Sequence, residues 1–558
     1  MSWPIVDRYR RTLAGERGAV MKDRGGKLAV CLVYPHTYRT AMSNLGFQTV
    51  YALLNGYRDV VCERAFLPDA TEQREYEKSG SSLLSLESQQ PLASFDIVAF
   101  SVSFENDYLN IPVILARGGI PPLAAARTSF HPLVMAGGAA LFLNPEPVAD
   151  LLDLVCVGEA ESILPRLLDL FRGESGGGRR ELLSEAANLP GIYVPSGYRL
   201  VYDGARPVAR EHEDWAPPRV ERLWEHELDR ALTTSTILTP ATEFGDMYLV
   251  EVSRGCPRGC RFCAAGFIYR PYRRRSMAAL REAVERGVRE QGKVGLVGAA
   301  VSDYPRIGDL CRHIVATGGK VSVSSLRIDN IDDQMIELLK ASGHKTVAIA
   351  PEGGSQRLRD LVRKGVNEEQ ILAACDRLIG HDILNLKLYF IIGLPTETMA
   401  DLEEMISLVG RIRERVVAAA KKNKRLGEVV LSVNPFVPKP FTPFQWCGME
   451  GMKILEQKGR FLQQAFRKLA NVTMQMESPK EAYLQALLSR GDRRLGTLLV
   501  EAAKGGSWRR AARALDIDTD TFVYRQIPLD ELLPWDVIAC EKEELEAEYR
   551  RAFDTASP

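Results

Sequence analysis

The chain predicts an α/β protein: an N-terminal doubly wound, Rossmann-like parallel sheet, then a partial barrel of six βα units, then a mainly helical C-terminal region. Three observations predict it. Short apolar runs alternate with helix-period stretches from Lys27 to about Arg172, and again from Met247 to about Pro438. The glycine- and charge-rich "RGESGGGRR" (172–180) separates the two series, and beyond about residue 447 the pattern turns helical and polar. Strands apolar on both faces and joined by helices form parallel sheets covered on each side.

The runs of the first series are "LAVCLVYP" (28–35), "DVVCERAFLP" (59–68), "FDIVAFSVSF" (95–104), "HPLVMAGGAA" (131–140) and "LDLVCVGEA" (152–160). Between the first two, "AMSNLGFQTVYALLN" (41–55) places Leu45, Val50, Leu53 and Leu54 at helical spacing. A connector with short strands, "GIYVPSGYRLVYDG" (191–204), leads to the second series. Its strands are "MYLVEVSRG" (247–255), "KVGLVGAAV" (293–301), "KVSVSSLRI" (320–328), "KTVAIAPEGG" (345–354), "LNLKLYFIIGLP" (384–395) and "EVVLSVNPFVP" (428–438), separated by helices such as 276–292 and 332–343. After them, 454–476 and 542–553 read as helices. The expected domains are 1–172, a connector 173–245, a barrel 246–446 and a helical domain 447–558.

Bulk composition narrows the function. Hydrophobic residues at 46% and charged residues at 26% describe a folded globular chain. Lys+Arg and Asp+Glu both number 72, so no net field gathers nucleic acid or an anionic membrane. The first residues lack an apolar signal core, and no apolar run approaches the roughly 20 residues of a spanning helix, which predicts a cytoplasmic protein. Seven of the ten cysteines are scattered singly, which is not a disulfide framework.

The other three cysteines stand together in "VSRGCPRGCRFCAAGFIYRPYRRRS" (252–276), as Cys256, Cys260 and Cys263. They follow the first barrel strand, at the end where barrel enzymes place their chemistry. A structural zinc site closes its shell with four protein ligands, and no fourth Cys or His lies nearby. Three thiolates on an iron–sulfur cubane leave one iron open to a small ligand. Gly255, Gly259 and Gly266 let the loop wrap closely round such a body. Arg270, Arg273, Arg274 and Arg275 read either as a phosphate-binding patch or, the favoured reading, as loop charges that are solvated or paired with acidic helices; "KKNKR" (421–425) reads as a solvated turn.

The spacing Cys-x3-Cys-x2-Cys, with Phe262 before the third cysteine, resembles the signature of the radical S-adenosylmethionine superfamily. The resemblance implies a [4Fe-4S] cluster on Cys256, Cys260 and Cys263 whose open iron takes the amino and carboxylate groups of S-adenosylmethionine, and a reducing electron donor such as flavodoxin or ferredoxin. It also implies cofactor contacts at Asp303 in "VSDYP", Arg327 in "SSLRID", Glu352 in "APEGGSQRLRDLVRKG" and Gly393 in "IIGLPTET". Taken singly, each of these is equally readable as a surface salt-bridge or turn residue.

The first series is similar to the cobalamin-binding domain that precedes many barrels of this superfamily, and "RGDRRLG" (490–496), "LPWDVI" (533–538) and "EYRRAF" (548–553) resemble that branch. The resemblance implies cobalamin contacts at Ser101, Gly137, Gly138 and Glu159, with Ser103 offering a further hydroxyl. The motif Asp-x-His-x-x-Gly is missing: "YPHTYR" holds His36 without its Asp and Gly partners, so His36 reads as a loop residue rather than a cobalt ligand. The leading expectation is a radical enzyme that cleaves S-adenosylmethionine and transfers a methyl group from cobalamin to an unknown substrate. The alternatives are tRNA methylthiolation and a non-catalytic cobalamin or iron–sulfur sensor.

Overall fold

Seven-residue apolar runs build the first sheet. In the computed structural model, which describes residues 2–173, 178–204, 206–323, 326–423 and 425–554, β1 (Leu28–Tyr34) and β2 (Val60–Phe66) run parallel from Leu28 against Val60. Nearly every residue of both strands is buried, as in a sheet covered on two faces. β3 (Ile97–Ser101), β4 (Leu133–Gly137) and β5 (Leu154–Cys156) extend it beyond β1, and β6 (Ile192–Tyr193) closes the edge antiparallel to β5. The order β2-β1-β3-β4-β5-β6 reverses direction at β1/β3, and such a switch point leaves a crevice at the strands' carboxyl ends. The helix expected over 41–55 is instead two, Tyr38–Met42 and Leu45–Gly56, because the Asn44 side chain accepts the Phe47 N–H at 2.8 Å and caps the second.

Residues 174–177 of the linker, Ser324 and Ser325 of "SSLRID", Lys424 and the side chains of 421–423 in "KKNKR" lie outside the described residues. The connector carries a hairpin, β7 (Tyr198–Asp203) with β8 (Arg206–His212). β9 (Tyr248–Glu251) opens the second series, and β10 (Ser253–Arg254) pairs antiparallel with β11 (Arg273–Arg274) to tie the neck of the cysteine loop. Then come β12 (Lys293–Val297), β13 (Lys320–Val323), β14 (Thr346–Glu352), β15 (Asn385–Ile392), β16 (Val429–Pro435) and β17 (Val472–Met476). They form two parallel sheets, β13-β12-β9 and β14-β15-β16-β17, linked by Leu326 N–H donating to Ala348 O at 3.2 Å.

All six expected barrel strands are present, with β17 in addition. The reading of 454–476 as one helix is corrected: the helix is Met452–Phe466, and Asn471, at φ +60°, leads into β17. Asn tolerates that left-handed turn, and the β-branched Val472 and Thr473 favour the strand.

The region beyond β17 bridges both sheets. Asn144 donates to Ser489 O (3.0 Å) and Gly491 O (2.7 Å), and Arg493 donates to Glu146 at 2.8 Å. Glu105, after β3, accepts from Lys439, after β16, and from Ser489. Val220 of the connector donates to Val537 O and accepts from Ala539 N–H. Among the described residues no helix is long and apolar enough to cross a membrane.

Candidate active site

The cysteine loop spans 255–272 between the two strands of its neck. Gly255 has φ +80°, and a Cβ there would lie 2.4 Å from Tyr269 O, so the loop can fold back on itself only with glycine at this position. Inside it, Cys263 N–H donates to Cys260 O and Gly266 N–H to Cys263 O. The three thiols are free and half-buried. Burial, then the neighbouring Cys260 and Cys256, pushes the Cys263 thiol up to about 11, and burial raises Cys260. A bound cation reverses that preference and holds thiols as thiolates. Among the described residues no three His, Cys, Asp or Glu side chains are gathered as one metal ion would require. Three thiolates on one loop suit the separate corners of a polynuclear cluster.

Around the loop stand three of the residues expected to hold a cofactor. Asp303, in the turn after β12, accepts from Arg258 at 2.8 Å and from Asn330 at 3.2 Å. Its second oxygen is buried without a hydrogen bond, 3.7 Å from Arg327 Nε. Arg327, after β13, donates twice to Asp329, at 2.9 Å each. Glu352 ends β14 at φ +67° and accepts from Lys364 at 3.2 Å. The charges of Lys364, Glu352 and Arg327 all act on Cys260, so these residues border the loop. Phe262 is half-buried and packs on the core. Gly393 is placed differently: its open side already meets Leu455 at 2.7 Å and Glu450 at 3.1 Å, and its N–H donates to Glu397.

Beside the neck, a cavity of about 440 Å³ runs along β1, β3 and β4 to the carboxyl ends of β3 and β4. Ser101, Ser103, Gly137 and Gly138 line one wall, and Ser253, Arg254 and Gly255 line the other. A limb walled by Leu45, Val50, Leu54, Leu164 and Leu168 runs between the sheet and two helices. Gly138 has φ +113°, and a Cβ there would lie 2.4 Å from Val102 O. Glu159 also lines the cavity, but its carboxylate is occupied by Arg254 (2.9 Å), Arg273 (2.7 Å) and the Glu225 N–H (2.9 Å). Burial would raise it, yet the hydrogen bonds and charges of these arginines hold it below the usual glutamate range. His36 lies apart from the cavity lining; its Nδ1 accepts the Thr37 N–H at 2.8 Å, and burial lowers its pKa.

The arginines after the loop are not a phosphate patch. Arg273 and Arg275 are buried, the first on Glu159 and the second on Glu251 at 2.6 Å, while Arg270 and Arg274 are exposed. Arg254, which the sequence reading passed over, holds Glu159, Glu161 and Glu251 together. Also passed over are Lys387, Tyr389, Ser432 and Asn434, half-buried on the alternate face of β15 and β16. Their period-2 placement between buried apolar residues was the available signal.

Residues 46–195 match the family described as radical SAM proteins, N-terminal, and residues 250–409 match the radical SAM superfamily. Fold, cysteine loop and both matches define the class, and the chain belongs to the radical SAM superfamily. Membership implies a [4Fe-4S] cluster, S-adenosylmethionine and a source of electrons. An uncharacterized protein of Methanocaldococcus jannaschii is 29% identical over 476 residues, 84% of this chain and 90% of its own length. A tRNA-2-methylthio-N(6)-dimethylallyladenosine synthase of Cereibacter sphaeroides is 28% identical over 218 residues, 36% of this chain and 48% of its own. Among solved structures, apo OxsB, a cobalamin-dependent S-adenosylmethionine radical enzyme, aligns over 95% of this chain and 84% of its own at 14% identity and a TM-score of 0.46.

Proposed function

We propose that Cys256, Cys260 and Cys263 hold the [4Fe-4S] cluster, that the cavity between the sheets holds cobalamin, and that the enzyme transfers a methyl group to an unactivated carbon of its substrate. The observation that carries this reading is the position of the cavity: its wall includes Gly255, the residue before Cys256. When bound, the cluster supplies the electron that cleaves S-adenosylmethionine to methionine and a 5′-deoxyadenosyl radical, and cobalamin would supply the methyl group.

The chain's own residues orient the reactants. Arg327, now paired with Asp329, would hold the carboxylate of S-adenosylmethionine, to which its planar fork is suited. The unbonded oxygen of Asp303 would accept an N–H of the cofactor's amino group, and Glu352 stands beside Cys260 as a further acceptor. Gly137 and Gly138 line the cavity with backbone, their missing Cβ atoms facing Cys156 and Val102; Ser101 and Ser103 offer hydroxyls, and the leucine-walled limb suits an apolar tail. With His36 turned to its own loop, cobalt would have no histidine ligand from this segment.

Methylthio transfer has less support. It calls for a second cluster, and Cys31, Cys62 and Cys156 are buried in the strands of the first sheet, where burial pushes their thiols up. Anaerobically reconstituted protein given S-adenosylmethionine and dithionite should release methionine and 5′-deoxyadenosine, and should carry cobalt when supplied with cobalamin. No 5′-deoxyadenosine would favour the sensor reading. Product without cobalt uptake would remove methyl transfer while leaving the radical chemistry.

A further inference from the structure

Arg261 lies between the second and third cysteines, and everything about it is held. Its N–H donates to Val362 O, its carbonyl accepts from Phe444 N–H, and its guanidinium donates to Leu361 O at 2.7 Å. The rest of the guanidinium closes on one carboxylate: Nε and Nη2 reach Glu548 Oε1 at 3.0 and 2.9 Å, across 287 residues of chain.

Glu548 sits on the helix Lys542–Asp554 and is itself 9% exposed. It receives two further arginines, Arg363 at 3.3 Å and Arg551 at 3.2 Å. Arg363 in turn lies against the loop: its Nη1 is 3.2 Å from the position a Cβ on Gly259 would take, one residue before Cys260. The helix is seated by aromatic contacts, Tyr549 on Trp446 and Phe553 on Phe444. A glycine-bearing loop has little stiffness of its own, so ligands on it are only as well placed as the contacts that support them.

We propose that Glu548 is a positioning residue for the cysteine loop and balances the arginine charge beside it, so that residues 542–554 act as a latch over the cluster. The proposal rests on the cluster being in this loop and is independent of what fills the cavity. With its carboxylate removed, Arg261 and Arg363 keep their charges without a counter-ion, a field that favours the reduced, more negative cluster. With Arg363 removed, the balance tips the other way.

The test is the cluster's midpoint potential and its rate of iron loss in air, read on reconstituted full-length protein without cobalamin. Glu548→Gln should move the potential positive and speed iron loss several-fold, Arg363→Gln should move it negative, and Glu548→Asp should stay near wild type. Arg363 is 58% exposed, so its replacement keeps the experiment decisive should Glu548→Gln fail to fold. Potentials unchanged in both glutamine variants, or shifted in the same direction, would overturn the proposal. Wild-type protein that takes up no iron would instead remove the cluster assignment itself.

Discussion

The two sets of parallel strands solve the same packing problem in opposite ways. In β1 and β2 all positions from Ala29 to Tyr34 and from Val60 to Phe66 are buried, whereas β15 alternates buried Leu386, Leu388, Phe390 and Ile392 with half-buried Asn385, Lys387, Tyr389 and Ile391. β16 alternates in the same way. The first sheet buries both faces and leaves a ligand the ends of its central strands and the limb under its helices; the second packs one face and keeps the other open. Ligand capacity therefore sits at strand ends in one region and along a face in the other, and the cysteine neck joins the two.

The comparison breaks most sharply at the cysteines. Replacing Cys256, Cys260 and Cys263 together by Ala should remove all bound iron and all 5′-deoxyadenosine formation, yet leave cobalamin uptake by the first sheet intact; iron analysis and the visible spectrum report both. If iron remains, the cluster is elsewhere.

Next in size is the joint. Glu159→Gln leaves Arg254 and Arg273 buried with one partner fewer, a change that costs about 3–5 kcal/mol when a buried pair is broken. Denaturant unfolding should show the loss in both regions at once. The sign with pH follows from the depressed carboxyl: its contribution is present above the ordinary glutamate range of about 4.3 and is lost as pH falls through the lower folded value. Wild type and variant should thus converge in strong acid.

A narrower change tests the cavity alone. Ala99, on the cavity wall, becomes larger in Ala99→Leu, which should weaken cobalamin binding at least tenfold by titration while 5′-deoxyadenosine formation stays at the wild-type rate. A parallel fall in both would mean that the two regions are not separable in this way.

The smallest expected effect concerns Asp107, just after β3. Burial, then Glu105, raises its carboxyl to about 7. A raised carboxyl favours the protonated folded state, so ionisation costs stability increasingly from about pH 4 to pH 7, and fully above. Asp107→Asn should therefore stabilise the protein by roughly 1–3 kcal/mol at pH 8, with the difference gone below about pH 4.

What the sequence revealed follows the same division. Apolar runs located the five parallel strands of the first sheet, though β6 was assigned to the connector, and the cysteine spacing located the loop, because both signals are local. β17 was hidden because the helix period before it ran on in the reading through Asn471, where the backbone turns. For the arginines, pairing with acids was foreseen but not the partners: local charge does not show which acid arrives from far along the chain, and Arg273 meets Glu159 across 114 residues. The acid partner of Arg261 is more distant still. Gly393 matched a pattern, but the helix that fills its open side was legible only in the fold.

The helix that closes over the cysteine loop is made long after the loop. The 287 residues between Arg261 and Glu548 take roughly 15–60 s to synthesise at about 5–20 residues per second. Until that helix exists, the guanidinium of Arg261 lacks the carboxylate that holds it in the finished fold.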